Sequence, residues 1–399
     1  MLDNYFPYFQ PIIDVGKKAI VGYEALGRTR NTSARVESLG PLFNDPNFDR
    51  SLLLQIDRTV RERAMRHLAK NPGNTFLSLN ISPEWMNHVP DDQVVPSIEM
   101  ARHCGLAPER VLIEFVEGVG ETLKMQMLLK RYRQAGMKIA IDDFGAGHSH
   151  VDRLVALEPD IIKMDMAFFK RGMMSGISKD VVRSLGALAR RTGSLLLCEG
   201  VETREEFYFA LDCGARYVQG YFFYPPAAEL VPPEHPKVML DELLEKYLSL
   251  KISQQKLQLR FHQDITEFFQ KIEPQLLADP VDVMALPEAP VGFLRVYFCH
   301  RSGEQISPNY ESCRVEDGYW SATFENLGMN WAMRPYFHQI LAVGEQEHRR
   351  HSISTPYRDL RTGKLCQTMG ILLENNRVLL ADIACSEEVN IDGDDIYIW

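Results

Sequence analysis

The stretch KIAIDDFGAGHSH, residues 138–150, begins as a short apolar strand and then sets Asp142 beside Asp143 ahead of a turn that Gly145 and Gly147 permit. Two adjacent carboxylates at the end of a buried strand repel one another, so their presence needs a physical reason. Similar β-rich runs occur along the chain at residues 8–14, 20–27, 75–82, 111–118, 160–165, 194–200 and 216–223. Between them lie segments such as 48–70 and 121–136, whose apolar residues recur every three or four positions, the helical period. Near-continuous apolar strands alternating with amphipathic helices indicate a parallel sheet covered by helices. About eight strands in about 230 residues predict an α/β fold of the (β/α)8 TIM-like barrel type, with a doubly wound open sheet as the alternative. Only residues 15–19 join the first two runs, too few for a parallel crossover, so an antiparallel first strand is expected.

Nearly every run ends in a polar or charged group: Glu24, Asn80, Glu114, Asp142 with Asp143, Lys163 with Asp165, Glu199 and Gln219. In a parallel barrel these ends open onto one face, where catalytic groups sit. A lone Asp-Asp before Gly is more often a solvated turn, and a lone strand-end Glu or Lys a solvent-facing charge. Recurrence at strand after strand favours a site. Converging carboxylates raise one another's pKa, so positive charge has to stand among them. Oxygen donors from Asp, Glu and one Asn suit two hard divalent cations, Mg²⁺ or Mn²⁺, and a turn that swings both adjacent aspartates inward lets one of them bridge the pair. Lys163 could pair with Asp165, or hold an attacking water or a phosphate oxygen. His148 and His150 read as surface residues.

Composition narrows the function classes. A formal net charge of −10 gives no general affinity for nucleic acid or anionic lipid. Seven widely spaced cysteines without a C-x-x-C pair suggest a reducing compartment. With no basic leader and no long uncharged apolar window, a cytoplasmic protein that does not span a membrane is expected. A barrel glycosidase would use two carboxylates without the Asn and Lys, and is disfavoured.

The segments YEALGR (23–28), LNIS (79–82), IEFVE (113–117), IDDFGAG (141–147), IIKMD (161–165), CEGVET (198–203) and QGYFF (219–223) resemble, in order and spacing, the motifs of EAL-domain cyclic-di-GMP phosphodiesterases. The resemblance covers residues 1–232 and implies hydrolysis of cyclic-di-GMP to linear pGpG with Mg²⁺ or Mn²⁺, two ions in all. It places one ion on Glu24, Asn80, Glu114 and Asp142, and a second on Asp142, Asp143 and Glu199. Lys163 resembles the lysine that orients the hydrolytic water; Asp165, Gln219 and Glu202 resemble its polar surroundings. Gln10, Leu26, Arg28, Asp165 and Gln219 correspond to substrate contacts, Arg28 offering a phosphate a bidentate fork. Glu117 resembles the glutamate that pins the loop carrying Asp142 and Asp143 and can couple it to a homodimer interface. Val116, His148 and Cys198 depart from the usual Thr, Tyr and small residue, and none is an expected ligand. A catalytically silent cyclic-di-GMP receptor is the alternative.

Beyond the three prolines of residues 231–236, a helix is expected over about 237–277, its near-heptad apolar spacing serving either a dimer or its own chain. Residues 233–289 thus read as connecting helix and linker. Residues 290–399 read as an α+β module resembling PAS or Cache sensor domains, a sheet with helices on one side around an unidentified small-molecule ligand. Arg334, Tyr336, Tyr357 and Asp359 are its candidate ligand contacts, with Trp331 and Phe337 as core. A two-domain EAL subgroup of the YkuI type has this organisation.

Overall fold

A computed structural model describes residues 2–31, 33–43, 45–81, 95–116, 122–145, 151–174, 176–278, 281–312, 320–347 and 351–385. The chain divides into two compact units at Tyr247/Leu248. In the first, the strands are β1 (Tyr5–Asp14), β2 (Ala19–Arg30), β3 (Val36–Ser38), β4 (Phe76–Ile81), β5 (Val111–Val116), β6 (Lys138–Phe144), β7 (Ile161–Met164), β8 (Leu195–Cys198) and β9 (Tyr217–Val218). Their order is β1-β9-β8-β7-β6-β5-β4-β2-β3, and β1 also pairs with β2, so the sheet closes on itself as an eight-stranded barrel with β3 appended. As the short 15–19 connection requires, β1 runs antiparallel to both neighbours, while β2 and β4 to β9 run parallel. The closed ring replaces the open-sheet alternative.

Strand alternation separates the two sides of this barrel. Ile139 and Ile141 of β6 belong to the large core shared with the helices, whereas Ala140 belongs to a small cluster with Ile12, Phe76, Leu112, Ile161, Leu197 and Tyr217. Seven strands each give that cluster one residue, so it plugs the barrel interior. Gly22 supplies space where β2 crosses: a Cβ there would lie 2.4 Å from the Phe76 ring. Two positions beyond the plug, on the same face, stand Glu114, Asp142, Lys163, Glu199 and Gln219, and two positions before Ile12 on the reversed β1 stands Gln10. The apolar layer therefore sets the floor on which the polar residues gather. Helices cover the outside; that at Arg50–Ala69, for example, is capped by Asp49, which accepts from the amides of Ser51 and Leu52 at 2.8 and 3.3 Å.

The helix Lys237–Leu276 gives Leu240 and Leu243 to the barrel core, and Phe261, Ile265, Phe269, Ile272 and Leu276 to the core of the second unit. Those buried residues assign the second half of its apolar stripe to its own chain. In the second unit β10 (Phe293–His300), β11 (Asn309–Ser312), β12 (Trp320–Thr323), β13 (Ser352–Ile353), β14 (Tyr357–Arg358), β15 (Leu365–Leu372) and β16 (Arg377–Ala384) form an antiparallel sheet ordered β12-β11-β10-β16-β15-β13, with β14 also on β15. Val296, Phe298, Leu379 and Ala381 pack on the Phe261–Leu276 turns, while Tyr297, Cys299, Val378 and Leu380 pack with Tyr336, Phe337 and Ile340 of the helix Pro335–Gln346. Helices thus cover both faces, not one as the sequence suggested, because both alternating sets of the central strands are apolar.

Candidate active site

Lys163 is the centre of the polar layer. Its side chain is 1% exposed, and Nζ lies 2.7 Å from Glu199 Oε1, 2.8 Å from Asp142 Oδ1, 3.0 Å from Glu114 Oε1 and 3.7 Å from Glu24 Oε1. Burial by itself would strip the lysine of its proton, but Asp142, Glu114, Glu199 and Glu24 outweigh it and hold the ammonium well above the ordinary lysine value. The pairing with Asp165 that adjacency suggested is not formed: Asp165 caps the helix Met166–Met173, accepting from the Phe168 amide at 2.8 Å.

Carboxylate oxygens of Asp142, Asp143 and Glu199 converge within 4.8 Å of one another. The side-by-side aspartates reach one face because β6 bulges here. Ile141 opposes Ile162 and Phe144 opposes Met164, so three steps on β6 match two on β7, and Asp143 takes φ +54°. A left-handed non-glycine residue is strained, and the bulge turns the alternation that would separate neighbouring side chains. Gly145 follows at φ +103°, where a Cβ would stand 2.6 Å from the Phe168 ring.

Five carboxylates surround one ammonium. Burial pushes Glu114 well above the usual carboxylate range against the opposing pull of Lys163, and it raises Glu199 to about 8 and Asp143 to about 6, their acidic neighbours adding to each. Glu114 Oε2 is buried with no hydrogen-bond partner. Glu24 is held from two sides: Asn80 Nδ2 donates to Oε1 at 3.1 Å and Gln219 Nε2 donates to Oε2 at 2.7 Å. Gln219 also donates to Gln10 Oε1 at 3.1 Å, and Gln10 donates to the Tyr224 carbonyl at 3.3 Å.

The structure therefore brings together Gln10, Glu24, Asn80, Glu114, Asp142, Asp143, Lys163, Glu199 and Gln219. It does not bring Glu202 to them, since that carboxylate pairs with Lys170 at 2.7 Å and is half exposed. Leu26 and Arg28 lie farther along β2, opposite Tyr8 and Phe6 of β1. Arg28 is half-buried, its guanidinium 5.7 Å from the Tyr8 ring centroid, and no carboxylate pairs with it among the described residues. Burial lowers its pKa. Glu117, His148 and His150 lie outside the described residues. Ser78 escaped the sequence reading: its buried hydroxyl donates to Glu114 Oε1. Its position two residues before Asn80, on the same face of β4, is the signal that strand periodicity offers. Glu24 is also not at a strand end, because β2 continues to Arg30 to pair with β1 and β3.

The family model for the EAL domain matches residues 2–226. The chain belongs to the EAL-domain family. A second model, for an EAL-domain associated signalling protein domain, matches residues 241–393. An uncharacterised EAL-domain containing protein of Bacillus subtilis, YkuI, is 26% identical over 98% of this chain and 97% of its own length. Its crystal structure, in complex with substrate c-di-GMP and calcium, shares the fold with a TM-score of 0.85 over 96% of this chain and 97% of that one, at 24% identity. The EAL domain alone is similar to BlrP1 of Klebsiella pneumoniae in a manganese/cy-diGMP complex, with 29% identity and a TM-score of 0.50 over 56% of each chain. A probable cyclic di-GMP phosphodiesterase of Escherichia coli, PdeI, is 30% identical over 56% of this chain, which spans 29% of that relative's length.

Proposed function

We propose that the protein is a metal-dependent phosphodiesterase that hydrolyses cyclic-di-GMP to linear pGpG. One observation carries this reading: five carboxylates and Asn80 gather at one rim of the barrel with a single buried ammonium among them. Ionised together, the five would leave four surplus negative charges in low dielectric, a state that bound cations would stabilise. The donors are all oxygen, Glu114 Oε2 lacks a partner, and no cysteine or histidine joins them among the described residues, which fits Mg²⁺ or Mn²⁺ and not zinc. Glu24, Asn80, Glu114 and Asp142 would hold one ion, and Asp142, Asp143 and Glu199 a second. Bound there, such ions supply an acidified water and neutralise charge developing on phosphoryl oxygens. The relatives that carry cyclic-di-GMP with calcium or manganese support the same substrate and metal class.

The chain's own residues do the remaining work. Gln219 and Asn80 fix both oxygens of Glu24, so its carboxylate is held in one orientation. Lys163, held charged, has its ammonium within 3.0 Å of Glu199, Asp142 and Glu114, and would turn one of its three N–H donors to an attacking oxygen when one of these carboxylates releases it. Arg28 stands apart from the acidic layer with its fork unpaired by any described carboxylate, suited to a phosphate of the dianionic substrate. We divide the chain accordingly into a barrel over 1–232, a connecting helix and linker over 233–289, and a C-terminal module over 290–399.

The test incubates purified protein with cyclic-di-GMP and Mg²⁺ or Mn²⁺, with a chelator control and Glu24→Ala, following pGpG by chromatography. Metal-dependent pGpG that vanishes in the variant is expected. Tight binding of cyclic-di-GMP with no product would replace the enzyme by a receptor.

A further inference from the structure

The second unit contains a cavity of about 470 Å³ lined by Arg295, Tyr297, Trp331, Arg334, Tyr336, Tyr357, Asp359 and Asp382 among others. That volume falls in the range of small-molecule sites. At its wall Arg295 is 7% exposed, with Nε donating to Asp382 Oδ2 at 2.6 Å and Nη2 to Asp359 Oδ1 at 2.5 Å. Both acids are otherwise spoken for. Asp382 Oδ1 accepts from Thr368 Oγ1 at 2.8 Å and from the Tyr357 hydroxyl at 3.3 Å; Asp359 Oδ2 accepts from the Thr362 amide and hydroxyl at 3.0 and 2.7 Å. The third carboxylate of the lining, Glu325, lies 3.7 Å from the Arg361 guanidinium; the acceptors of the first two acids are satisfied within the chain.

The donors are not. Arg295 Nη1 makes no hydrogen bond or ion pair with any described residue. Arg334, half-buried at the start of the helix Pro335–Gln346, has no carboxylate partner among the described residues either. Four arginines line the cavity against three carboxylates. Its walls are otherwise aromatic: Tyr336 and Tyr357 stack at 5.8 Å between centroids and 18° between planes, and the Trp331 indole is anchored by Gln305 at 3.0 Å. Surplus guanidinium donors beside flat apolar surface match an anionic head on a flat body.

We propose that this cavity binds a small organic anion, a monocarboxylate with a planar apolar body, whose head group is taken by Arg334 and Arg295 and whose body lies against Tyr336, Tyr357 and Trp331. The site is independent of the barrel chemistry, and its test reads no hydrolysis.

Full-length protein is titrated with benzoate, its neutral isostere benzamide, acetate and inorganic phosphate, each up to ~10 mM, ten times a Kd of ~1 mM. Calorimetry gives stoichiometry, and thermal melting follows ligand stabilisation. Benzoate is expected to bind once per chain, acetate at least about tenfold more weakly for want of the body, and benzamide not at all, one charge-assisted pair being worth that factor or more. Arg334→Gln should weaken benzoate at least about tenfold with an unchanged melting temperature in the absence of ligand; Arg295→Gln, which also removes a buried pair, can fail to fold and is the secondary variant. Phosphate binding in preference to benzoate would overturn the carboxylate class. Equal affinity for benzamide, benzoate affinity unmoved in Arg334→Gln, or no saturable response to any probe would overturn the site.

Discussion

Removing divalent cations should make the barrel's stability fall with rising pH, and restoring them should cancel most of that fall. Asp143 rises from an ordinary 3.8 to about 6 in the folded chain, and Glu199 from 4.5 to about 8, in both cases chiefly through burial. A carboxyl whose folded pKa is raised holds its proton better folded than unfolded. Its stabilisation is therefore complete below the unfolded value and disappears as pH rises through the folded one. For Asp143 the window is about pH 4 to 6; for Glu199 it extends to about 8. At about 1.4 kcal/mol per unit a fully buried Asp143 would carry on the order of 3 kcal/mol over its whole window, and partial exposure with solvent screening cuts this to about 1–2 kcal/mol. Glu199 adds to it without summing simply, since the two acids share Asp142 and Lys163 as neighbours. For a unit of about 250 residues, each kcal/mol corresponds to roughly 2–4 °C in melting temperature. The assay is calorimetric melting in chelator at pH 5, 6.5 and 8, repeated with Mn²⁺, following the metal-responsive transition. The chelated protein should lose at least ~2 °C from pH 5 to pH 8, where about one unit of the Asp143 window remains and Glu199 adds to it, and Mn²⁺ should stabilise far more at pH 8, where protons no longer compete for the ligands. A chelated transition that is flat with pH, or a Mn²⁺ shift equal at pH 5 and 8, would refute the crowded-carboxylate account.

Asp142→Ala should abolish pGpG formation, by at least about a thousandfold, while far-ultraviolet circular dichroism stays unchanged; near-normal turnover would count against a bridging role. Arg28→Ala should raise KM about 10- to 100-fold with a smaller change in kcat, as loss of a charged hydrogen bond of about 1.5–3 kcal/mol predicts, and steady-state kinetics decides it. Gly186→Ala should destabilise the barrel by about 3 kcal/mol or more on urea unfolding, because a Cβ there would sit 1.6 Å from the Cys213 carbonyl oxygen and no side chain can move aside to admit it.

What the sequence by itself determined was the periodic frame. Apolar runs alternating with amphipathic helices specify a parallel sheet covered by helices, the short 15–19 connection specifies the reversed β1, and polar groups at the ends of the runs mark a single rim, because parallel strands deliver their ends to the same face; closure into a barrel lies in the pairing of β1 with both β2 and β9. What only the tertiary structure decided was which of those groups meet. Lys163 and Asp165 are two residues apart, yet one is buried among carboxylates of β2, β5, β6 and the residue after β8, and the other caps a helix. Glu199 and Glu202 are three apart, yet only the first turns inward. The same holds in the second unit, where Arg295, Asp359 and Asp382 come from segments far apart in the chain. Charge pairing, burial and the bulge that turns Asp143 inward depend on distances across the sheet. Local periodicity fixes the face on which a side chain stands, and the closed barrel fixes its neighbours.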